Sequence, residues 1–183
     1  GAVNRGAFVR AGGAELLVTC HLDVARERSR VLVWDAGGKR GWADGKLVSH
    51  VMHFENFRGK ITCVDWAGTE ESVLLAAGCA DGTVRVFDLE CKASLYDLVD
   101  QHLTARGSSG SISALSFSPS GARLATAGWD GKIHVWDAED GAHLMTFVGH
   151  EDRVCFLRWD AVGRRLASGG VDKTTKVWNM GAD

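Results

Sequence analysis

A chain of 183 residues, 45% hydrophobic and 24% charged, has the size and polarity of one soluble globular domain. Its formal net charge of −2 excludes a global field that would draw in nucleic acid or an anionic membrane. No apolar run approaches the roughly 18 residues needed to span a bilayer, and no basic segment leading into an apolar one opens the chain, so neither membrane insertion nor a secretory signal is expected.

The five cysteines, Cys20, Cys63, Cys79, Cys91 and Cys155, are scattered and form no C-x-x-C pair. Such a set points to reduced thiols, and so to the cytosol or nucleus. One proline among 23 glycines fits many strands joined by tight turns.

In chain order, Ala7 to Arg10 and Glu15 to Cys20 read as strands. After Thr19 and Asp23 comes the segment 24–30, which carries Arg26, Arg28 and Arg30, and then a strand from Val31 that ends in Trp34-Asp35. Residues 36–45, which include Lys39, Arg40 and Trp42, read as a loop, and Lys46 to Phe54 as an outer strand. A second unit follows the same plan. Ile61 to Trp66 and Ser72 to Ala77 are strand-like, Asp81-Gly82 makes a turn, and Thr83 to Phe87 alternates, with Val84 and Val86 on one side and Arg85 on the other. Ser94 to Val99 is its outer strand. The third unit runs Ile112 to Phe117, Arg123 to Ala127, the Asp130-Gly131 turn, Ile133 to Asp137 and His143 to Val148.

The last unit is the sharpest. From Gly149 to Asn179 it reads GHEDRVCFLRWDAVGRRLASGGVDKTTKVWN, with strands over Val154–Trp159 and Arg165–Ser168, a turn at Gly170 to Asp172, and a run ending Val177-Trp178. The aromatic that closes each first strand keeps a near-constant distance from the turn aspartate: Phe8 to Asp23, Trp66 to Asp81, Phe117 to Asp130, Trp159 to Asp172. Four agreeing intervals mark an internal repeat. We therefore expect one all-β segment over 1–183, in units of approximately 1–54, 55–100, 108–149 and 150–183.

These units, above all GH…SGGVDKTTKVWN and TAGWDGKIHVWD, resemble the WD-repeat (WD40) β-propeller family over nearly the whole chain. The resemblance implies one four-stranded sheet per blade, with about four blades visible of a larger, seven-bladed ring. It also implies a buried relay in the best blade, in which His150 contacts Asp172 and Ser168 links His150 to Trp178. A buried indole N–H needs an acceptor, so the residue types agree with that role. The third unit keeps Thr126, Asp130 and Trp136, with Ser108 where the histidine would stand. The first keeps Thr19, Asp23 and Trp34. The second keeps Asp81 but has Ala77 and Phe87 in the other positions. Shorter stretches are similar to two subfamilies. Residues 95–96, 101–102, 111–119 and 127–132 resemble the WD-repeat subunit of the superkiller RNA-decay complex. Residues 24–30 and 60–62 are similar to the WD-repeat subunit of translation initiation factor three.

No catalytic constellation stands out, and neither a cofactor nor a metal is expected. His50 and His53 have H-x-x-H spacing, but on a regular strand such positions face opposite sides, which argues against a shared ion. His150 and Asp172 read as relay members rather than an acid–base pair. The glycines at 107–110 lack the Lys-Ser/Thr of a phosphate loop. For binding, Trp129 is the leading residue. It lies in the turn before Asp130, on the side where the family exposes residues of the ring's upper face. The matching residues Leu22, Ala80 and Val171 are apolar and uncharged, which favours protein segments as partners. The expected function is a non-catalytic interaction scaffold within a multi-protein assembly. Arg28, Arg40 and Trp42 are further partner-binding candidates, although the basic run 26–30 reads first as a solvated loop and otherwise as a contact for an acidic partner or RNA. The alternative function is a WD-repeat subunit of an RNA-processing, RNA-decay or translation-initiation complex that touches RNA directly. The charge balance disfavours it.

Overall fold

A computed structural model describes residues 2–11, 14–23, 28–36, 42–43, 46–47, 50–68, 72–99 and 110–180. Every regular element among them is a strand. The first sheet is built from β1 (Ala2–Ala11), β2 (Ala14–Asp23), β3 (Arg28–Asp35) and β6 (His50–Arg58), in that spatial order. Between β3 and β6 lies a separate two-stranded ladder, β4 (Trp42–Ala43) and β5 (Lys46–Leu47). The second sheet holds β7 (Ile61–Gly68), β8 (Val73–Cys79), β9 (Val84–Asp88) and β10 (Ala93–Leu98). The third holds β11 (Ile112–Phe117), β12 (Arg123–Gly128), β13 (Lys132–Asp137) and β14 (His143–Val148). The last is β15 (Val154–Trp159), β16 (Arg165–Gly170) and β17 (Thr175–Asn179). All strand pairs are antiparallel, and each sheet uses strands consecutive in the chain, apart from the small ladder inserted in the first.

Two expectations need correction. Residues 36–45 are not wholly loop, because Trp42–Ala43 folds back on Lys46–Leu47. The outer strand of the first sheet begins at His50, after that ladder, and continues to Arg58 rather than starting at Lys46.

The repeat extends to irregularities in the ladders. Each innermost strand skips one residue against its neighbour: Asn4 in β1, Thr62 in β7, Ser113 in β11 and Cys155 in β15. The outermost strands are bulged as well: β6 at Val51 and again between Phe54 and Phe57, β10 at Leu95 and β14 at Leu144. Such bulges bend a strand and sharpen its twist.

The innermost strands lie side by side, β1 by β7, β7 by β11 and β11 by β15. Apolar cores fill the spaces between successive sheets. Val31 and Val33 of β3 share one with Ile61, Leu75 and Phe87 of the second sheet. Val84 and Val86 share the next with Ile112, Leu115 and Leu124, and Ile133 and Val135 the third with Val154, Leu157 and Leu166. In the last sheet the equivalent residues of β17 are Thr175 and Val177. Both are exposed, Val177 at 62%, and Phe156 on the same sheet is 45% exposed. No described sheet covers that face.

Candidate functional site

The turns joining the second and third strands of the last three sheets share one construction. An aspartate side chain accepts the backbone N–H two residues on: Asp81 from Thr83 at 3.0 Å, Asp130 from Lys132 at 3.2 Å, Asp172 from Thr174 at 3.0 Å. The residue between is left-handed, Gly82 at φ 88°, Gly131 at φ 74° and Lys173 at φ 65°. Glycine takes that region freely; lysine pays a steric penalty for it.

Beneath the last of these turns lies a continuous hydrogen-bonded chain. Asp172 Oδ2 is 2.8 Å from His150 Nδ1, His150 Nε2 is 2.7 Å from Ser168 Oγ, and Trp178 Nε1 donates to the same oxygen at 2.8 Å. His150 and Ser168 are buried. Asp172 is further held by Glu151 N–H at 3.1 Å and by the Thr174 hydroxyl at 2.9 Å. Burial opposes ionisation of Asp172, but the hydrogen bonds from Thr174, His150 and Glu151 outweigh it and hold the carboxyl well below the usual carboxylate range.

The other sheets carry variants of this chain. In the third, Trp136 Nε1 donates to Thr126 Oγ1 at 2.9 Å, and Asp130 stays in its turn. Ser108 lies outside the described residues. In the first, Trp34 Nε1 donates to Thr19 Oγ1 at 2.6 Å, and the hydroxyl's second partner is His21 Nε2 at 2.8 Å, from the same strand. Burial lowers the His21 pKa. Asp23 ends β2, its side chain outside the described set. The second sheet replaces the polar link with apolar packing: Ala77 is fully buried, and Phe87 stacks on Phe54 at 4.3 Å and Phe57 at 5.8 Å.

Above the relay, the end of the sheets that carries these turns presents Trp129, 57% exposed, with the Arg153 guanidinium 5.2 Å from the centre of its ring. Arg153 reaches it because its own carbonyl accepts Val171 N–H at 2.8 Å, which ties the start of β15 to the following turn. Among the described residues the Arg153 guanidinium makes no ion pair. Val171 is 43% exposed, and Ala80 is exposed in the corresponding turn of the second sheet. Leu22, Arg28 and Trp42 fall on strands, but their side chains lie outside the described residues, as does Arg40 altogether. Arg153 and Thr174 escaped the sequence reading. The Asp-x-Thr spacing at Asp172 and Asp81 was the signal for Thr174, whereas nothing local signals Arg153, whose ring partner lies on a different sheet.

Among the described residues no group of three or more His, Cys, Asp or Glu forms a metal cluster. The premise used against His50 and His53, regular alternation, is interrupted by the skipped Val51 between them. Cys20, Cys63 and Cys79 are buried thiols, and burial pushes Cys79 up to about 12, far from a reactive thiolate. At the opposite end of the sheets a cleft of about 410 Å³ lies between the second and third, rimmed by Asp88, Asp137 and Glu139.

Comparison with known proteins agrees with this construction. The family profile for the WD domain, G-beta repeat, matches residues 48–88, 100–137 and 141–179. The periodic tryptophan protein 2 homolog of Dictyostelium discoideum is 32% identical over 71% of this chain and 14% of its own length. The Arabidopsis thaliana protein cell division cycle 20.6, cofactor of APC complex, is 29% identical over 81% of this chain and 31% of its own. The human F-box-like/WD repeat-containing protein TBL1X is 33% identical over 59% of this chain and 20% of its own. The chain thus spans less than a third of each of these relatives. The computationally designed protein Ika4 superposes with a TM-score of 0.71 at 24% identity, over 98% of this chain and 92% of that one. The designed protein Ika8 does so at 0.69 and 24% identity, over 98% of this chain but 46% of that one. The chain belongs to the WD-domain, G-beta repeat (WD40) family, and its four described sheets are WD40-type propeller blades.

Proposed function

We propose that this chain is a non-catalytic interaction scaffold, a subunit of a multi-protein assembly in the cytoplasm or nucleus, that docks protein segments on the face carrying Ala80, Trp129 and Val171. One observation carries the reading. Trp129 stands exposed in a turn with the Arg153 guanidinium over its ring, a guanidinium that makes no ion pair among the described residues: a rigid aromatic anchor with a cationic rim. Ala80 and Val171, which match Trp129 in their own turns, are uncharged, which suits apolar side chains of a peptide rather than phosphates. The relay below supports the turns and takes no part in chemistry. The family, and the one reported relative named as the cofactor of a complex, are consistent with a scaffold role.

A peptide-display selection on the folded chain tests this. Trp129→Ala is expected to weaken the selected peptides by about tenfold or more, the loss typical of a central aromatic anchor, with an unchanged unfolding midpoint. Selected peptides that bind Trp129→Ala undiminished would overturn the assignment of the face. Retention of single-stranded RNA that falls steeply with salt, with no peptide enrichment, would favour the RNA reading instead.

A further inference from the structure

The outer half of the third sheet gathers three donor atoms around one point. His134 lies on β13, and His143 and Thr146 lie on β14. In a regular strand, residues three apart face opposite sides. Here Val135 pairs with Met145 but Trp136 pairs with His143, so the skipped Leu144 turns His143 onto the side of Thr146. All three then meet. His134 Nδ1 is 3.3 Å from His143 Nε2, and Thr146 Oγ1 is 2.9 Å from each nitrogen. The rings are held in place: His134 is 3% exposed and packs on Trp136 at 5.9 Å, while His143 sets itself edge-on to Trp136 at 5.2 Å. His143 and Thr146 are exposed, so the point between the three atoms opens to solvent.

Hydrogens alone do not fill this triangle. Each ring nitrogen either carries a hydrogen or offers a lone pair, and the hydroxyl donates once, so at most two of the three contacts hold a hydrogen. With both imidazoles protonated on their other nitrogens, three lone pairs converge. The separations suit a metal ion. At metal–ligand distances of about 2.0–2.1 Å, ligands lie about 3.3 Å apart on a tetrahedral ion and about 2.9 Å apart on an octahedral one. The same cross-strand slot is filled differently in the other sheets. The second has Arg85 opposite Asp97, an ion pair at 3.1 Å, and the first has Leu32 opposite His53. Only the third places two imidazoles and a hydroxyl there among the described residues.

We propose that His134 Nδ1, His143 Nε2 and Thr146 Oγ1 form the protein face of a binding site for a divalent transition-metal ion such as Zn²⁺, with water completing the coordination. Two neutral imidazoles select for zinc, copper or nickel over calcium or magnesium. The ion would pin β14 to β13 at the bulge.

The test is calorimetric titration of the chain with ZnCl₂ in a Cys91→Ser, Cys155→Ser background, which removes the two exposed thiols as competing ligands. One equivalent should bind in the micromolar range. His143→Ala, an exposed position, should weaken binding by about tenfold or more while the metal-free chain stays folded, with its unfolding midpoint lowered only by the loss of the Trp136 contact. In the parent background, the imidazole ¹⁵N signals of His134 and His143 should shift with zinc while those of His150 stay put. No binding below about 1 mM, binding indifferent to His143→Ala, or unmoved His134 and His143 signals would each overturn the proposal. The ¹⁵N measurement keeps it decidable should the variant fail to fold.

Discussion

Ser168 Oγ serves two ring nitrogens at once, His150 Nε2 at 2.7 Å and Trp178 Nε1 at 2.8 Å. Removing it strands a buried histidine nitrogen and a half-buried indole N–H, and an unmet buried polar group costs about 1–3 kcal/mol. Ser168→Ala is therefore expected to lose about 2 kcal/mol in urea unfolding. Ser168→Thr should recover most of it, because Thr19 and Thr126 hold the same place in their own sheets and accept the same indole bond. Much of this was legible in the sequence. The family resemblance implied the links from His150 to Asp172 and through Ser168 to Trp178, and a tryptophan, a hydroxyl, an imidazole and a carboxylate make a chain of matched donors and acceptors. The substitute in the first sheet was not legible. His21 reaches Thr19 from two residues away on the same strand, and no repeat spacing announces that.

At the level of the strand, the bulges decide what faces what. Skipping Leu144 and Val51 adds a residue to the outer strand without any mark in composition, so a reading based on strict alternation assigns the wrong side from that point on. The strand positions of the third and fourth sheets were nonetheless legible, because the turns there carry Asp-Gly or Asp-Lys and set the strands apart. The sequence reading placed the outer strand of the first sheet too early, because the Trp42–Lys46 region carries polar, glycine-rich composition yet still pairs. Close approach between sheets sets a second constraint at this scale. A Cβ on Gly78 of β8 would sit 2.6 Å from Ile112 Cγ2 and 2.7 Å from Cys63 Sγ. Ile112 is β-branched and fully buried, so it cannot swing aside. Gly78→Ala is expected to destabilise the chain by about 1–3 kcal/mol, the usual cost of overpacking, and thermal unfolding would measure it.

Across the whole molecule, one position changes meaning with its place in the array. Val33, Val86 and Val135 are each fully buried under the following sheet, whereas Val177, their counterpart, is 62% exposed. An aspartate at Val135 would put a charge into an apolar core, while one at Val177 would meet water. Val135→Asp should leave too little stability to fold, and Val177→Asp should shift the urea midpoint by no more than about 0.5 kcal/mol, the range of ordinary surface changes. Circular dichroism of the two variants side by side decides it. Equal losses would mean that the last sheet's outer face is covered after all.

Each sheet draws its strands from one uninterrupted stretch of polypeptide, save for the hairpin inserted in the first. Hydrogen-bond pairing within a sheet therefore closes only short loops, which is the fast kind of contact to make. On a ribosome, one blade's ladder can zip as soon as its own residues emerge, without waiting for distant partners. What stays unfinished at each step is a single greasy flank, and the next blade to appear is the piece shaped to cap it.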